Sequence, residues 1–213
     1  MLLPGTMVGG KYKILSEIGR GGTSTVYLAL HERVNKSWAI KETEKGDPGS
    51  IAAERREIEL MKRMKHPALP SIVDIIEYRE KFLIDMDYIE GRTLEVLLRE
   101  GGPQAEETVI RWGIQLCSVL SYLHVQEPPV IYRDMKPSNV MLMPDGTIML
   151  IDLGAAREFR RQSKDTVALG TRGYAAPEQY EETGVSDPRT DIYSLGVMLS
   201  ELLTGTVPGP GKG

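Results

Sequence analysis

Strands come first along this chain and helices after, without alternation, and that order predicts an α+β protein in two lobes. Short runs rich in β-branched and aromatic residues, set apart by glycine-rich or polar turns, occupy the stretch from Lys11 to about Lys41 and recur before Tyr88. After Gly91 the apolar residues recur at helical spacing instead. At 213 residues there is room for one large domain or for two small lobes around one cleft, and no internal repeat divides the chain otherwise.

The elements follow in order. Tyr12 to Leu15 reads as a strand that runs into a glycine-rich turn, and Thr25 to Leu30 and Ser37 to Lys41 read as the next two. The polar loop EKGDPGS precedes a helix over residues 51 to 65, with Ile51, Ile58, Met61 and Met64 at roughly helical spacing and His66-Pro67 as its stop. Two further strands are expected over Ile72 to Tyr78 and Phe82 to Tyr88. Residues 93 to 99 predict a short helix and 105 to 125 a long amphipathic one. Val140 to Leu142 and Ile148 to Ile151 form a hairpin around Pro144-Asp145-Gly146. Residues 155 to 176 carry no period and read as a long loop, which in a compact domain is usually functional. Asp191 to Leu203 closes the series as a helix, with Ile192, Leu195, Met198, Leu199 and Leu202 on its buried side.

Composition narrows the function classes. Hydrophobic residues are 41% and charged residues 26%, as in ordinary globular proteins, and a formal net charge of -4 offers no basic surface for nucleic acid. The single cysteine, Cys117, excludes an internal disulfide and fits a reducing compartment; its place in the pattern Trp112, Leu116, Val119, Leu120, Leu123 predicts a small buried hydrophobe. No stretch is long and apolar enough to span a membrane, and MLLPGTMVGGKYK is no signal peptide. The expected location is the cytoplasm, with a membrane anchor in a longer natural chain left open.

Chemistry enters with a series of short motifs. Gly19-Arg20-Gly21-Gly22-Thr23-Ser24-Thr25-Val26 matches G-x-G-x-x-G-x-V with serine at the third glycine. It lies between two strands rather than between strand and helix, which argues against a dinucleotide fold and suits a hairpin over a triphosphate. The glycines let backbone N–H groups approach phosphate oxygens with no side chain in the way. Next in order come Ala39-Ile40-Lys41, Glu57 in the following helix, Arg133-Asp134 with Asn139, Asp152-Leu153-Gly154, Ala176-Pro177-Glu178 and Asp191-Ile192-Tyr193-Ser194-Leu195-Gly196. This is the protein kinase signature set in its chain order.

On these motifs the chain resembles the serine/threonine protein kinases over about Thr6 to Gly205, and GTRGYAAPEQY with the IYRDMKPSNV loop gives it the flavour of the bacterial eukaryotic-like ones. The resemblance implies a bilobal fold with a small β-rich N-lobe (1–86), a hinge (87–91) and a helical, truncated C-lobe (92–213). It implies ATP and magnesium, with manganese as an alternative, and protein serine or threonine hydroxyls as acceptors. Lys41, oriented by Glu57, would hold the α- and β-phosphates under the loop of Gly19, Gly21, Gly22 and Ser24. Asn139 and Asp152 would give oxygen ligands to the metal. Asp134 would take the hydroxyl proton and Lys136 would neutralise the γ-phosphate. Val26 and Ala39 would roof the adenine and Met141 floor it, with Met86 as gatekeeper and Asp87-Tyr88-Ile89 as the hinge segment.

Two positions depart from the family pattern. Tyr132 stands for the histidine of H-R-D and Leu153 for the phenylalanine of D-F-G. The family places both in an apolar stack between the lobes, here Ile72, Met61, Leu153 and Tyr132, anchored by Asp191. An aromatic ring and an aliphatic side chain can fill those slots, the tyrosine hydroxyl seeking a partner, while Asp134 and Asp152 stay intact. Arg133 resembles the arginine that grips a phosphorylated activation loop, with Thr166 or Ser163 as the candidate autophosphorylation site. Thr171 is expected to contact Asp134 and Lys136 and to help select a hydroxyl substrate. Family members continue past ELLTGTVPGPGKG with helices that would cover the last one and supply an arginine to Glu178. A partly bare apolar side over 192 to 203 is therefore expected, whether the chain is a fragment or a short form. An inactive nucleotide-binding or scaffolding module is the alternative function; Lys136-Pro137 and Ala176-Pro177-Glu178 speak against a small-molecule kinase.

Overall fold

The computed structural model describes residues 1–21, 24–44, 59, 62–78, 81–159, 170–181 and 184–208. Among them no helix is long and apolar enough to cross a membrane. The helix expected over 51 to 65, with Ile51, Glu57, Ile58 and Met61, lies almost wholly outside the described residues, as do Gly22, Ser163 and Thr166. The chain forms two compact units, Met1–Lys65 with Pro70–Ile89, and His66–Leu69 with Glu90–Gly213.

Among the described residues the first unit holds a six-stranded antiparallel sheet. Its strands are β1 (Met7–Val8), β2 (Tyr12–Arg20), β3 (Ser24–His31), β4 (Lys36–Glu44), β5 (Ile72–Tyr78) and β6 (Lys81–Asp87), in the order β1-β2-β3-β4-β6-β5. Most outrun their expected lengths because ladder pairing carries polar end residues along. The β3–β4 turn closes on Asn35 at a φ of 49°, a left-handed conformation that asparagine tolerates better than most residues.

Alternation then sorts the side chains, since residues directly opposite on antiparallel strands share a face. Tyr12, Ile14, Tyr27, Ala29, Ile40 and Leu83 bury one face together with Leu2 and Val8. Each large side chain taken from water there is worth roughly 1.5–3 kcal/mol. Two carboxylates share this core face. Glu42 accepts from the Tyr27 hydroxyl at 2.7 Å and pairs with Lys81. Burial pushes its carboxyl up, but the bonds from Lys81 and Tyr27 outweigh it and hold the group below the usual range. Asp85 is fully buried, accepts from the Tyr12 hydroxyl through one oxygen, and has no partner for the other among the described residues. Burial therefore raises its pKa, despite the Tyr12 bond.

The second unit is mainly helical. Among the described residues its three longer helices are α1 (Leu94–Gly101), α2 (Glu106–His124) and α3 (Pro188–Thr204). Thr93 caps α1 by accepting from Val96 N at 3.2 Å. The last helix begins at Pro188, earlier than expected, because Asp187 accepts from Arg189 N at 2.8 Å while Thr190 accepts from Asp187 N at 3.1 Å. It ends on Gly205 at a φ of 76°, where only glycine is unstrained. The hairpin β9 (Val140–Leu142) and β10 (Ile148–Leu150) lies beside the short β7 (Arg92–Thr93). Part of the expected loop is strand: β11 (Arg157–Glu158) pairs with β8 (Val130–Ile131). Residues 66 to 69 join this unit, with Leu150 N donating to Ala68 O at 2.9 Å.

Two expectations about helix faces are corrected. Cys117 is exposed, because it lies about 100° around α2 from Leu116 and off the stripe that Trp112, Leu116, Val119, Leu120 and Leu123 bury. Ile192 is exposed as well, one residue past the buried Asp191; the inward stripe of α3 is Thr190, Asp191, Ser194, Leu195, Met198 and Leu202.

Stability of the first unit should carry the signature of Asp85. Its pKa is higher folded than unfolded, so its contribution is present at low pH and lost as pH rises through the raised value. Relative to the parent, the Asp85→Asn chain should therefore gain Tm between acid and neutral pH. Thermal melts of both chains from pH 4 to pH 8 measure it.

Candidate active site

In the sheet unit, the face opposite the core carries the predicted nucleotide residues. Gly19 lies opposite Val26, Val26 opposite Lys41, Leu28 opposite Ala39, and Ala39 opposite Met86. Ser24, Val26, Ala39, Lys41, Ile84 and Met86 thus share one side, half-buried or buried, with Lys41 flanked by Val26 and Ile84. Gly21 N donates to Ser24 O at 2.8 Å and closes the turn between β2 and β3. The glycines themselves are informative. A Cβ at Gly19 would meet the chain no closer than 3.9 Å and one at Gly21 no closer than 3.6 Å, both ordinary contacts. Neither has a positive φ. The fold has no need of glycine at these two positions, which fits a requirement from outside the chain, such as a polyphosphate pressed against the backbone. Asp87 ends β6 and Ile89 follows it within the same unit; Ser71 N donates to an Asp87 oxygen at 3.1 Å.

In the helical unit the site is built on one loop. Residues 132 to 136 run from β8 to the 3-10 turn Pro137–Asn139, and their conformation is dictated by α3. Asp191, fully buried in its first turn, accepts from Tyr132 N at 2.9 Å, from Arg133 N at 2.7 Å and bonds His124 Nε2 at 2.7 Å. Arg133 adopts a φ of 68°, a left-handed conformation that costs a non-glycine residue about 1–2 kcal/mol. Its Nε donates to Ala155 O at 2.8 Å and its carbonyl accepts from Gln179 Nε2 at 2.9 Å. The strained residue is thus held at its N–H, its Nε and its carbonyl.

Asp134 comes next and is the centre of a compact network. Thr171 Oγ1 donates to its Oδ1 at 2.7 Å. Asn139 Nδ2 donates to its Oδ2 at 3.0 Å and to its backbone carbonyl at 2.8 Å. Lys136 Nζ lies 2.8 Å from Oδ2 and donates to Thr171 Oγ1 at 2.6 Å. The expected contacts of Thr171 with Asp134 and Lys136 are therefore present. These bonds fix the direction of the carboxylate, which is the geometry an acceptor of an incoming hydroxyl needs.

Asn139 is buried, and because both its amide hydrogens point to Asp134 its oxygen is left to face elsewhere. Ile151 N donates to Asn139 O at 2.9 Å, which sets Asp152 beside it; Asp152 accepts from Gly154 N at 2.8 Å. Among the described residues no group of three or more His, Cys, Asp or Glu could hold a metal ion by itself. An amide oxygen and one carboxylate instead suit magnesium, which takes few protein oxygens and completes its shell with phosphate and water. Met141 lies half-buried on β9, opposite Met149 and Thr93.

Tyr132 and Leu153 are both buried. The hydroxyl of Tyr132 departs from expectation: among the described residues it has no hydrogen bond of good geometry. Burial, then the charges of Asp152, Asp134 and Asp191, push its pKa well above that of free tyrosine, and the nearby Asn139 amide only partly offsets them. Sequence reasoning also missed a partner for Glu178. Thr190 Oγ1 donates to Glu178 Oε1 at 2.6 Å, from a helix start that propensity placed later. It missed Gln179 and His124 too; nothing in their local pattern marks them.

The protein kinase domain model matches residues 12–213 of the chain. Serine/threonine-protein kinase PknL of Mycobacterium tuberculosis is 35% identical over 215 residues, covering 98% of the chain and 53% of that protein. Serine/threonine-protein kinase PrkC of Bacillus subtilis is 33% identical over 219 residues, covering 99% and 33%. The probable serine/threonine-protein kinase PknB of Lactococcus lactis is 30% identical over 217 residues, covering 99% and 34%. The chain thus spans about half or less of the length of these curated relatives.

The Asp191 contacts carry a measurable share of the stability. An amide at that position cannot accept from Tyr132 N and Arg133 N at once, and a buried donor left unpaired costs about 1–3 kcal/mol. Urea unfolding of Asp191→Asn should show a loss of that size with an unchanged m-value.

Proposed function

The chain belongs to the protein kinase family, and on that premise we propose that it is a serine/threonine protein kinase that uses ATP and magnesium and phosphorylates itself as well as other proteins. The observation that carries this reading is the network at Asp134, where a threonine hydroxyl, a lysine ammonium and an asparagine amide converge on one carboxylate. The reading treats residues 1–213 as one catalytic domain with lobes 1–86 and 92–213 joined by 87–91, working in the cytoplasm, where a lone cysteine stays reduced.

The roles follow from the chemistry. The acceptor hydroxyl gives its proton to Asp134 as its oxygen bonds the γ-phosphorus; the bond from that phosphorus to the bridging oxygen breaks, and ADP leaves. Lys136 offsets charge on the transferred group, and Thr171 steadies both Lys136 and Asp134. Lys41, with Glu57, holds the α- and β-phosphates, while Gly19, Gly21, Gly22 and Ser24 give backbone N–H groups to them. Val26, Ala39, Met86 and Met141 bound the adenine, whose edge meets the backbone at Asp87 and Ile89. Magnesium, or manganese in its place, would be held by Asn139 and Asp152 and would neutralise phosphate charge. Arg133 would pair with a phosphate on Thr166 or Ser163.

Transfer of labelled phosphate from magnesium-ATP tests the proposal, with Asp134→Asn and Lys41→Met in parallel. The parent should label itself and an added acceptor protein. Both variants should lose ~10²-fold or more, as when a general base or a charge clamp is removed. Equal labelling in all three chains would sink the kinase reading and leave an inactive nucleotide-binding or scaffolding module. Thr171→Ser should retain most of the activity and Thr171→Val lose it, since only the former keeps the hydroxyl. Mass spectrometry after incubation with ATP should find phosphate within residues 155 to 171.

A further inference from the structure

We infer that Gln179 is a positioning residue for Asp134, acting through the Arg133 peptide; this deepens the kinase reading and rests on it. Arg133 stands at a φ of 68°, and such a residue persists only where its surroundings over-determine it. Asp191 fixes its N–H end and Ala155 its guanidinium, but neither controls the direction of its carbonyl. That carbonyl belongs to the peptide leading directly into Asp134, so its rotation would swing the Asp134 Cα and with it the carboxylate. Gln179 Nε2 donates to it at 2.9 Å.

The amide is built to point that way. Gln179 is buried, and its Oε1 accepts from Ala176 N at 2.9 Å, which leaves the NH2 end facing Arg133. Room is kept for it at Gly170, whose φ is 123°: a Cβ there would come within 2.9 Å of Gln179 Nε2 and 2.8 Å of the Ala175 Cβ. The consequence is local and geometric. Thr171, Lys136 and Asn139 bond the Asp134 carboxylate at 2.7 to 3.0 Å, distances that a shifted Cα would break. A carboxylate at 179 could accept from Ala176 but has no hydrogen for Arg133, and a thioether has no hydrogen either and accepts only weakly. The role therefore asks for glutamine's donor and acceptor together.

Two measurements test this. The first is steady-state transfer from magnesium-ATP to casein by the parent, Gln179→Glu and Gln179→Met. Both variants should lose kcat by ~10- to 100-fold, because displacing a catalytic group by about 1 Å costs on that order. KM for ATP should stay within about twofold, since no ATP-holding residue changes. Parent-like kcat in Gln179→Glu, or a loss carried by KM alone, would overturn the inference. The second measurement needs no activity. Gln179→Met should lower Tm by about 3–6 °C in the parent, and by clearly less in an Arg133→Gly background, where glycine adopts the left-handed conformation without strain. Equal losses in both backgrounds would overturn it. If the parent labels casein no better than Asp134→Asn, the kinase reading fails, and the stability cycle alone decides whether Gln179 holds the Arg133 peptide.

Discussion

A carboxylate without solvent must find hydrogen-bond donors, and in the helical unit Asp191 finds them in the backbone of the loop that carries Asp134. The dependence runs both ways. The loop's N–H groups at Tyr132 and Arg133 are themselves buried and would be costly to leave unpaired. Satisfying both at once requires the start of α3 to lie directly beneath the loop, and the Asp187–Pro188–Thr190 capping arrangement begins the helix early enough to put Asp191 in its first turn. His124, at the end of α2, bonds the same carboxylate. One buried charge thus ties two helix ends to the residues that precede the candidate base.

The cost of that arrangement appears at Arg133. A left-handed residue in a fully determined loop is a strained element, held by Asp191, Ala155 and Gln179 together. The strain lies one residue from Asp134, where a defined carboxylate direction matters most. Tyr132 next to it carries a second local cost, a buried hydroxyl without a good partner among the described residues. Its ring is fully buried all the same. Tyr132 and Leu153 are both buried, and neither departure from the H-R-D and D-F-G patterns removes Asp134, Asn139 or Asp152.

The sheet unit obeys a different constraint. Its two faces are separated by the period of two, so the buried cluster around Tyr12, Tyr27, Ile40 and Leu83 forces Val26, Ala39, Lys41 and Met86 to the other side. That side needs no dedicated design beyond register. The glycines at 19 and 21 stand out against it because nothing in the chain crowds them.

The sequence by itself determined the strands and most of the described helices, since hydrophobic period and turn residues act locally, and its motif order pointed to the protein kinase family, since that order survives without coordinates. It could see the Thr171 contacts only through resemblance. It misjudged Cys117 and Ile192, where a shift of one residue turns a helical side chain by about 100°. It could not see Gln179 to Arg133, Thr190 to Glu178 or His124 to Asp191, because bonds between residues 46, 12 and 67 positions apart leave no local pattern. Nor could it foresee a left-handed arginine. Burial made those decisions: only packing removes water from Asp191 and the loop backbone, and only then must each buried donor and acceptor find its partner across the fold.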